Sequence, residues 1–261
     1  MSAIFMAASC GGLKRGRTVP PAAAGVKRYS CRAWSGRHDP AASAPPMLRV
    51  MSDGPPLTVL HADDALIVVD KPAGLLAVPG RGEAGVDNLA ARVQAAFADA
   101  LVVHRLDMAT SGLMLFARGV AAQRRLSMAF ERGAVAKQYV AVVEGRIAGD
   151  IGRIDAPLAA DWPNRPRQRV DAVHGRPSLT HWQVLERGAD DTLLLLQPRT
   201  GRSHQLRVHL AAIGHPILGD ALYAPEALAR AAPRLLLHAS CLALAHPADG
   251  RPVAWRCEEP F

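Results

Sequence analysis

The chain has 261 residues, 49% of them hydrophobic, and a formal net charge of +8. That length holds one large domain or two small ones with a sizeable core, and no apolar run approaches the roughly 20 residues of a membrane span, so a soluble protein is expected. The charge is lopsided: residues 1–50 carry eight Lys/Arg against Asp39, a net of +7, leaving 23 basic against 22 acidic residues in 51–261, a net of +1. A polyanion held by the main part of the chain must therefore meet a local patch rather than a general field.

Residues 1–53 are dominated by Pro, Ala, Gly, Ser and Arg and show no hydrophobic period. Such a segment cannot bury enough surface to offset its ordering entropy. Its Arg-rich, acid-poor composition also fits a transit peptide. A disordered extension, or a start codon set too early with Met47 or Met51 as the true start, is the favoured reading. The Ala/Arg-rich composition, that of a GC-rich bacterial genome, argues against an organelle. Patterned sequence begins at Leu57, and 54–261 reads as one domain of mixed α and β structure. Leu57 to His61 and Ala65 to Asp70 are expected strands around a turn at Asp63-Asp64. Lys71-Pro72-Ala73-Gly74 breaks the pattern, and Pro79 to Gly82 is an expected loop. Asp87 or Asn88 can cap a helix with Leu89, Val93, Ala96 and Phe97 on its apolar face.

Next comes His104-Arg105-Leu106-Asp107-Met108-Ala109-Thr110-Ser111-Gly112-Leu113, between the apolar runs Leu101–Val103 and Leu113–Ala117. Thr110, Ser111 and Gly112 are turn formers, so Asp107 is expected on an ordered loop between strands. It either caps a turn and pairs with Arg105, or is a reactive carboxylate held by a rigid scaffold. Ala121 to Arg132 reads as a helix stopped by Gly133. Lys137 to Gly145 alternates as a strand, with Tyr139 on the face opposite Val140 and Val142. Asp161 to Arg169 mixes three arginines with Pro and Gln, and is either a solvated loop or a phosphate-contacting arm. Leu193 to Gln197 is an expected buried strand. Ser203 to Ile213 is an expected helix with Leu206, Leu210 and Ile213 on one face and Arg207 at its polar edge. His204, His209 and His215 lack metal-ligand spacing, so no metal site is expected. Leu235–His238 and Cys241–Ala245 are expected as two closing strands joined near Ala239-Ser240. Cys10, Cys31, Cys241 and Cys257 form no C-x-x-C, as in a cytoplasmic protein with reduced thiols, and a Cys241–Cys257 disulfide is not favoured.

Four of these stretches, in this order, resemble the RluA family of pseudouridine synthases. Asp70 to Leu75 resembles the first family motif, which supports the active-site loop. His104 to Leu113 resembles the second, whose Asp is catalytic. Lys137 to Ala141 resembles the strand whose Tyr packs on the target uracil. Thr200 to Leu210 resembles the last, whose Arg pairs with the catalytic Asp, and Gly214 to Asp220 continues the match. The resemblance implies an α+β fold, a single catalytic domain with a mixed, largely antiparallel bent sheet flanked by helices and loops and a cleft across it. It implies an isomerase with Asp107, Tyr139 and Arg207 as catalytic residues. Substrate contacts are expected from Arg105, His104, Lys71, Arg165, Arg167, Arg202 and His204. The Asp161–Val170 segment is most similar to the branch acting on both a 23S rRNA stem-loop and tRNA anticodon stem-loops. The N-terminal S4 domain of many relatives is not expected, and a monomer is.

The reaction breaks the N1–C1′ glycosidic bond, turns the base and rejoins it through C5. Nothing is oxidised, so no cofactor is expected, and none of the usual cofactor fingerprints occurs. One carboxylate can serve as nucleophile or base, and attack at C1′, attack at C6 and removal of the C2′ proton stay open. The target uridine of a structured RNA must be extruded, and an aromatic ring can replace its lost stacking. Two rival readings remain. A retaining glycosidase needs a second carboxylate about 5 Å away, for which Asp220 or Glu144 could be proposed. A non-catalytic RNA-binding module would not need Asp107.

Overall fold

A computed structural model describes residues 48–50, 56–80 and 87–261. The expected extension at 1–53 and the loop at Pro79–Gly82 lie largely outside the described residues.

The first strand, β1 (Leu48–Val50), pairs antiparallel with β2 (Leu57–Ala62), so it precedes the point where patterned sequence emerges. β2 turns at Asp63 into β3 (Leu66–Lys71). Helix α1 (Leu89–Ala96) is capped by Asn88, whose side chain accepts the Ala91 N–H at 2.9 Å. This is the expected N-cap, and Asp87 instead pairs with Arg92. β4 (Ala100–Val102) leads into the loop of Asp107 and then β5 (Ser111–Arg118). Helix α2 (Gly119–Glu131) ends at Gly133, whose φ of +68° only glycine adopts freely.

The chain continues through β6 (Ala136–Glu144), β7 (Ile151–Asp155), and a separate hairpin of β8 (Leu158–Ala160) and β9 (Gln168–Val170). Then come β10 (Leu179–Arg187), β11 (Asp191–Pro198), α3 (Gln205–Ala212), the short α4 (Glu226–Ala229), β12 (Leu237–Ala245) and β13 (Pro252–Arg256).

One sheet carries all strands except the hairpin, in the order β1-β2-β3-β5-β12-β6-β11-β10-β7, with β4 on β5 and β13 on β12. Its pairs are antiparallel apart from β5 with β12, which run parallel at Ser111–His238 and Gly112–Ala239. The mixed, largely antiparallel sheet of the expected α+β fold is thus present. At the parallel junction Gly112 has φ +107° and lies against the Ala239 backbone, where a Cβ would overlap the carbonyl.

The continuous apolar runs of β3 and β5 follow from burial on both faces. Ile67, Val69, Met114 and Phe116 pack under α1 through Leu89 and Val93. Leu66, Val68, Leu113 and Leu115 face the other way, against Ala122 and Leu126 of α2. Beyond β12, Ala141 and Val143 of β6 and Leu194 and Leu196 of β11 pack on Leu206 and Leu210 of α3.

Three expectations need correction. Instead of two strands at Leu235–His238 and Cys241–Ala245 there is one, β12, which begins at Leu237 and whose pairing with β6 shifts register between Ala239 and Cys241. The bulge changes the parity of the apolar positions, and that change reads as a break in the sequence. Ile213 is not on the buried face of α3 but at its C-cap, 39% exposed. Arg207 is not at a polar edge: Gln205 to Leu210 are all buried, and Arg207 is 4% exposed. No disulfide joins Cys241 and Cys257.

Candidate active site

Asp107 sits on the loop between β4 and β5, as expected, and that loop is clamped from below. Lys71, at the end of β3, is fully buried and gives its three N–H groups to the carbonyls of Pro72 (2.8 Å), Leu75 (2.7 Å) and Met108 (3.0 Å). The Met108 carbonyl also accepts the Gly74 N–H at 2.9 Å. The Lys-Pro-Ala-Gly stretch thereby ties the residue after Asp107 to the β3 end. Lys71 is consequently not an RNA contact, contrary to the sequence-based expectation, because its donors are spent inside the protein. Burial pushes its pKa down to about 8, against the charges of Asp107 and Asp70, which favour the proton.

Removing these bonds strands the Pro72 and Leu75 carbonyls and leaves the Met108 carbonyl with the Gly74 N–H alone. Lys71→Met is expected to destabilise the fold by about 3 kcal/mol and to misplace Asp107. The depressed pKa sets the sign of the pH dependence. Below about 8 the burial penalty on the ammonium is fully present, and it is relieved as pH rises toward 10.5. Urea unfolding at pH 8 and pH 10 should therefore show the wild-type advantage over Lys71→Met growing with pH; a shrinking advantage would contradict this placement.

His104 is likewise a scaffold group. Its Nε2 accepts the Leu115 N–H at 2.9 Å, and its ring stacks on Phe130 at 4.3 Å between centroids. Burial drives its pKa down to about 3, so the ring is a neutral acceptor. It lines the cavity wall with one nitrogen committed to β5.

Arg207 projects from α3 toward Asp107, with Nη1 3.7 Å from Oδ2. Its strongest partner is another acid: Nε and Nη2 make a two-pronged contact with Asp220 at 2.8 and 2.6 Å. Burial opposes the guanidinium charge, but the bonds and charge of Asp220, with Asp107, outweigh it and hold the pKa above the ordinary Arg value. Asp220 is itself 1% exposed and accepts the Leu222 and Tyr223 N–H groups. The expected Arg207–Asp107 proximity exists, and the residue that orients Arg207 is Asp220. Asp220 follows Gly219, whose φ of +76° lets the chain pass against the Arg234 carbonyl. Committed to Arg207 and outside the cavity lining, Asp220 is not a second acid for glycoside chemistry, and Glu144 does not line the cavity either.

Tyr139 reaches the same cavity from β6. Burial, then the nearby Asp107 charge, push its hydroxyl pKa upward, so the phenol stays protonated. Its hydroxyl makes no hydrogen bond among the described residues. His204 precedes α3 at φ +55°, a left-handed conformation that β-carbon-bearing residues seldom adopt. That turn aims Nε2 at Asp107 Oδ1, 3.9 Å away, and Nδ1 at the Tyr223 hydroxyl, 2.6 Å away.

These groups surround one cavity of about 590 Å³. Its wall carries Arg105, Arg132, Lys137, Arg199 and Arg202 besides Arg207, against the acids Asp107 and Glu131. This is the local basic patch that the net charge of 51–261 conceals. Arg105 is exposed beside Asp107, and Arg202 lies between this cavity and a second of about 400 Å³ lined by Gln168, His174 and Arg176. Arg165 and Arg167 are outside both linings, on the exposed connection of the β8–β9 hairpin, where Arg165 lies over Trp162 at 3.3 Å. Sequence reading passed over Lys137, Arg199 and Tyr223. Lys137 had a signal: two residues before Tyr139 on one strand, it shares that face, and burial lowers its pKa. Among the described residues no group of three or more His, Cys, Asp or Glu could hold a metal ion.

A model of the RNA pseudouridylate synthase family matches residues 65–212, a span that holds Asp107, Tyr139, His204 and Arg207. The chain is 50% identical over 209 residues to the dual-specificity RNA pseudouridine synthase RluA of Escherichia coli K12, covering 79% of this chain and 95% of that one. The RluA of Yersinia pestis is 50% identical over 207 residues, covering 78% and 100%. Among solved structures, human RNA pseudouridylate synthase domain containing 1 superposes with a TM-score of 0.67 at 29% identity, over 81% of this chain and 87% of that one. Human domain containing 4 gives 0.63 at 26%, over 77% and 88%. Half the residues shared along nearly the full length of the bacterial relatives, on a fold of the same kind, make this chain a member of the RluA family of RNA pseudouridine synthases.

Proposed function

We propose that the protein isomerises uridines in stem-loops of 23S rRNA and of tRNA anticodon arms, with Asp107 as the catalytic carboxylate. The observation that carries the reading is the convergence of Asp107, Arg207 and Tyr139 on one basic cavity of about 590 Å³. That volume suits a single extruded nucleotide. In this reading the uracil enters the cavity and stacks on Tyr139, while Asp107 acts on the ribose or the base. Arg207, fixed by Asp220, orients the carboxylate. After the N1–C1′ bond breaks, the base turns and C5 bonds to C1′. C5 then loses its proton and N1 gains one, so the product is an isomer.

The dual substrate rests on the dual specificity of the bacterial relatives named above and on the arginine-bearing hairpin at Asp161–Val170. Arg105, Arg202 and His204 border the cavity, and Arg165 and Arg167 serve as an outer arm for phosphates. The protein acts in the cytoplasm as a monomer; no helix among the described residues is long and apolar enough to cross a membrane. Incubation with unmodified anticodon and 23S stem-loops tests the reading, with product read by carbodiimide modification and primer extension. Pseudouridine in both RNAs is expected; product in neither would contradict it.

Tyr139 separates two contributions. Tyr139→Phe keeps the stacking face and is expected to lower kcat more than it raises KM. Tyr139→Leu also loses stacking, worth about 1–3 kcal/mol. Single-turnover rates and stem-loop affinities for both variants check this, and equal, undiminished activity in both would deny Tyr139 either role.

A further inference from the structure

Tyr223 lies outside the cavity lining, on the loop that follows Asp220, and is held from several sides. Its hydroxyl oxygen accepts the Gln168 backbone N–H at 2.8 Å, a bond from the start of β9. Its ring meets the His204 imidazole edge-on, with centroids 5.6 Å apart at 81°. The Arg207 guanidinium carbon is 5.1 Å from the ring centroid, and the Tyr223 N–H donates to Asp220 Oδ1 at 3.2 Å. The hydroxyl oxygen is 2.6 Å from His204 Nδ1.

These contacts favour one placement of the protons. The Gln168 amide can only donate, so it occupies a lone pair of the phenol oxygen. The phenol keeps its own proton, because burial raises its pKa. That proton has an acceptor at hydrogen-bond distance in His204 Nδ1. A neutral imidazole carries one proton, which is then on Nε2, facing Asp107 Oδ1 at 3.9 Å. The other tautomer would aim a lone pair at the carboxylate.

We propose that Tyr223 is a positioning residue for the isomerisation: its hydroxyl, oriented by the Gln168 amide, fixes His204 as the Nε2–H tautomer and holds that N–H toward Asp107. The proposal rests on the reading of Asp107 as the catalytic carboxylate. The consequence is control of charge beside Asp107. A doubly protonated His204 would pair with the carboxylate and blunt it. The groups facing the imidazole divide: Asp107 and Asp220 favour a second proton, while Arg207 and Arg105 oppose it. Burial, the largest influence, also opposes it. The Tyr223 O–H acts on the opposing side, since it needs an unprotonated Nδ1.

Tyr223→Phe removes this bond, together with the acceptor of the Gln168 N–H, and keeps the ring over Arg207. Two measurements on the full chain test the proposal. In ¹⁵N-histidine spectra recorded without RNA, wild-type His204 is expected as the Nε2–H tautomer, and its titration midpoint is expected to rise by about one pH unit in Tyr223→Phe. In pH–rate profiles on the anticodon stem-loop, the variant is expected to lose about tenfold in kcat near neutral pH, the worth of one hydrogen bond, with KM little changed. Its acid limb should move to higher pH, a shift that a purely structural role would not give. A wild-type Nδ1–H tautomer, or a variant with an unmoved midpoint and acid limb, overturns the proposal. The spectra need no catalysis, so this failure is distinct from failure of the underlying reading, which activity in Asp107→Asn would reveal.

Discussion

Asp107→Asn is expected to lower pseudouridine formation by about 10⁴-fold or more, the scale seen when a covalent or acid–base group is removed. The asparagine is isosteric, so the loop should stay in place. Lys71 and Gly74 bind the Met108 carbonyl, and the Thr110 N–H binds the Asp107 carbonyl at 3.1 Å, and none of these bonds uses the carboxylate. Stem-loop affinity should therefore persist, since Arg105, Lys137, Arg199 and Arg202 are untouched. Paired single-turnover and filter-binding assays check both halves. A variant that binds and still turns over would move the chemistry away from this residue. A variant that loses binding and activity together would point to a docking role instead.

Breaking the Arg207–Asp220 pair is expected to have the second largest effect. Arg207 is 4% exposed and Asp220 1%, so Asp220→Ala leaves a buried guanidinium whose nearest carboxylate is then Asp107, 3.7 Å away. Removing one partner of such a pair costs about 3–5 kcal/mol of stability. It also frees Arg207 to close directly on Asp107 and neutralise it. Arg207→Ala leaves the buried Asp220 with the Leu222 and Tyr223 N–H groups but no cation, and removes the cation beside Asp107. The double change Arg207→Met with Asp220→Leu separates the two consequences. Replacing a buried ion pair by apolar groups of similar volume is often neutral for stability. The double variant still strands the Leu222 and Tyr223 N–H groups, so it should melt below the wild type but above either single variant, and remain inactive on both stem-loops. An active double variant would show that the pair serves the fold alone.

Much of this was legible in the sequence, for identifiable reasons. The apolar runs of β3, β5 and β11 are long and bounded by turn residues, so their strands stood out. α1 was marked by Asn88 and α2 by Gly133. Asp107, Tyr139 and Arg207 came from motifs spaced along the chain, and the sheet brings them to one cavity. β7, β10 and β13 gave no comparable signal. β10 is half-buried along most of its length, with Thr180, His181, Gln183 and Glu186 interrupting the pattern. The β12 bulge hid one strand as two.

Roles were harder to read than positions. Lys71 looked like a phosphate contact because lysines usually face water, yet three carbonyls converge on its ammonium. Arg207 sat at the polar edge of an ideal helix projection, and no projection of α3 alone contains Asp220, thirteen residues on. The basic patch was invisible to counting, because Arg105, Lys137 and the Arg199–Arg202 connection are far apart in sequence and acids elsewhere offset them.

An everted uridine held between Tyr139 and the Asp107 carboxylate is the centre of the proposed reaction. The most direct measurement is a crystal structure of Asp107→Asn bound to an unmodified anticodon stem-loop. The prediction is one uridine turned out of the loop into the cavity, its base on the Tyr139 ring and residue 107 beside the sugar or C6. A complex in which every base of the loop remains stacked within the RNA, with the cavity unfilled, would contradict it.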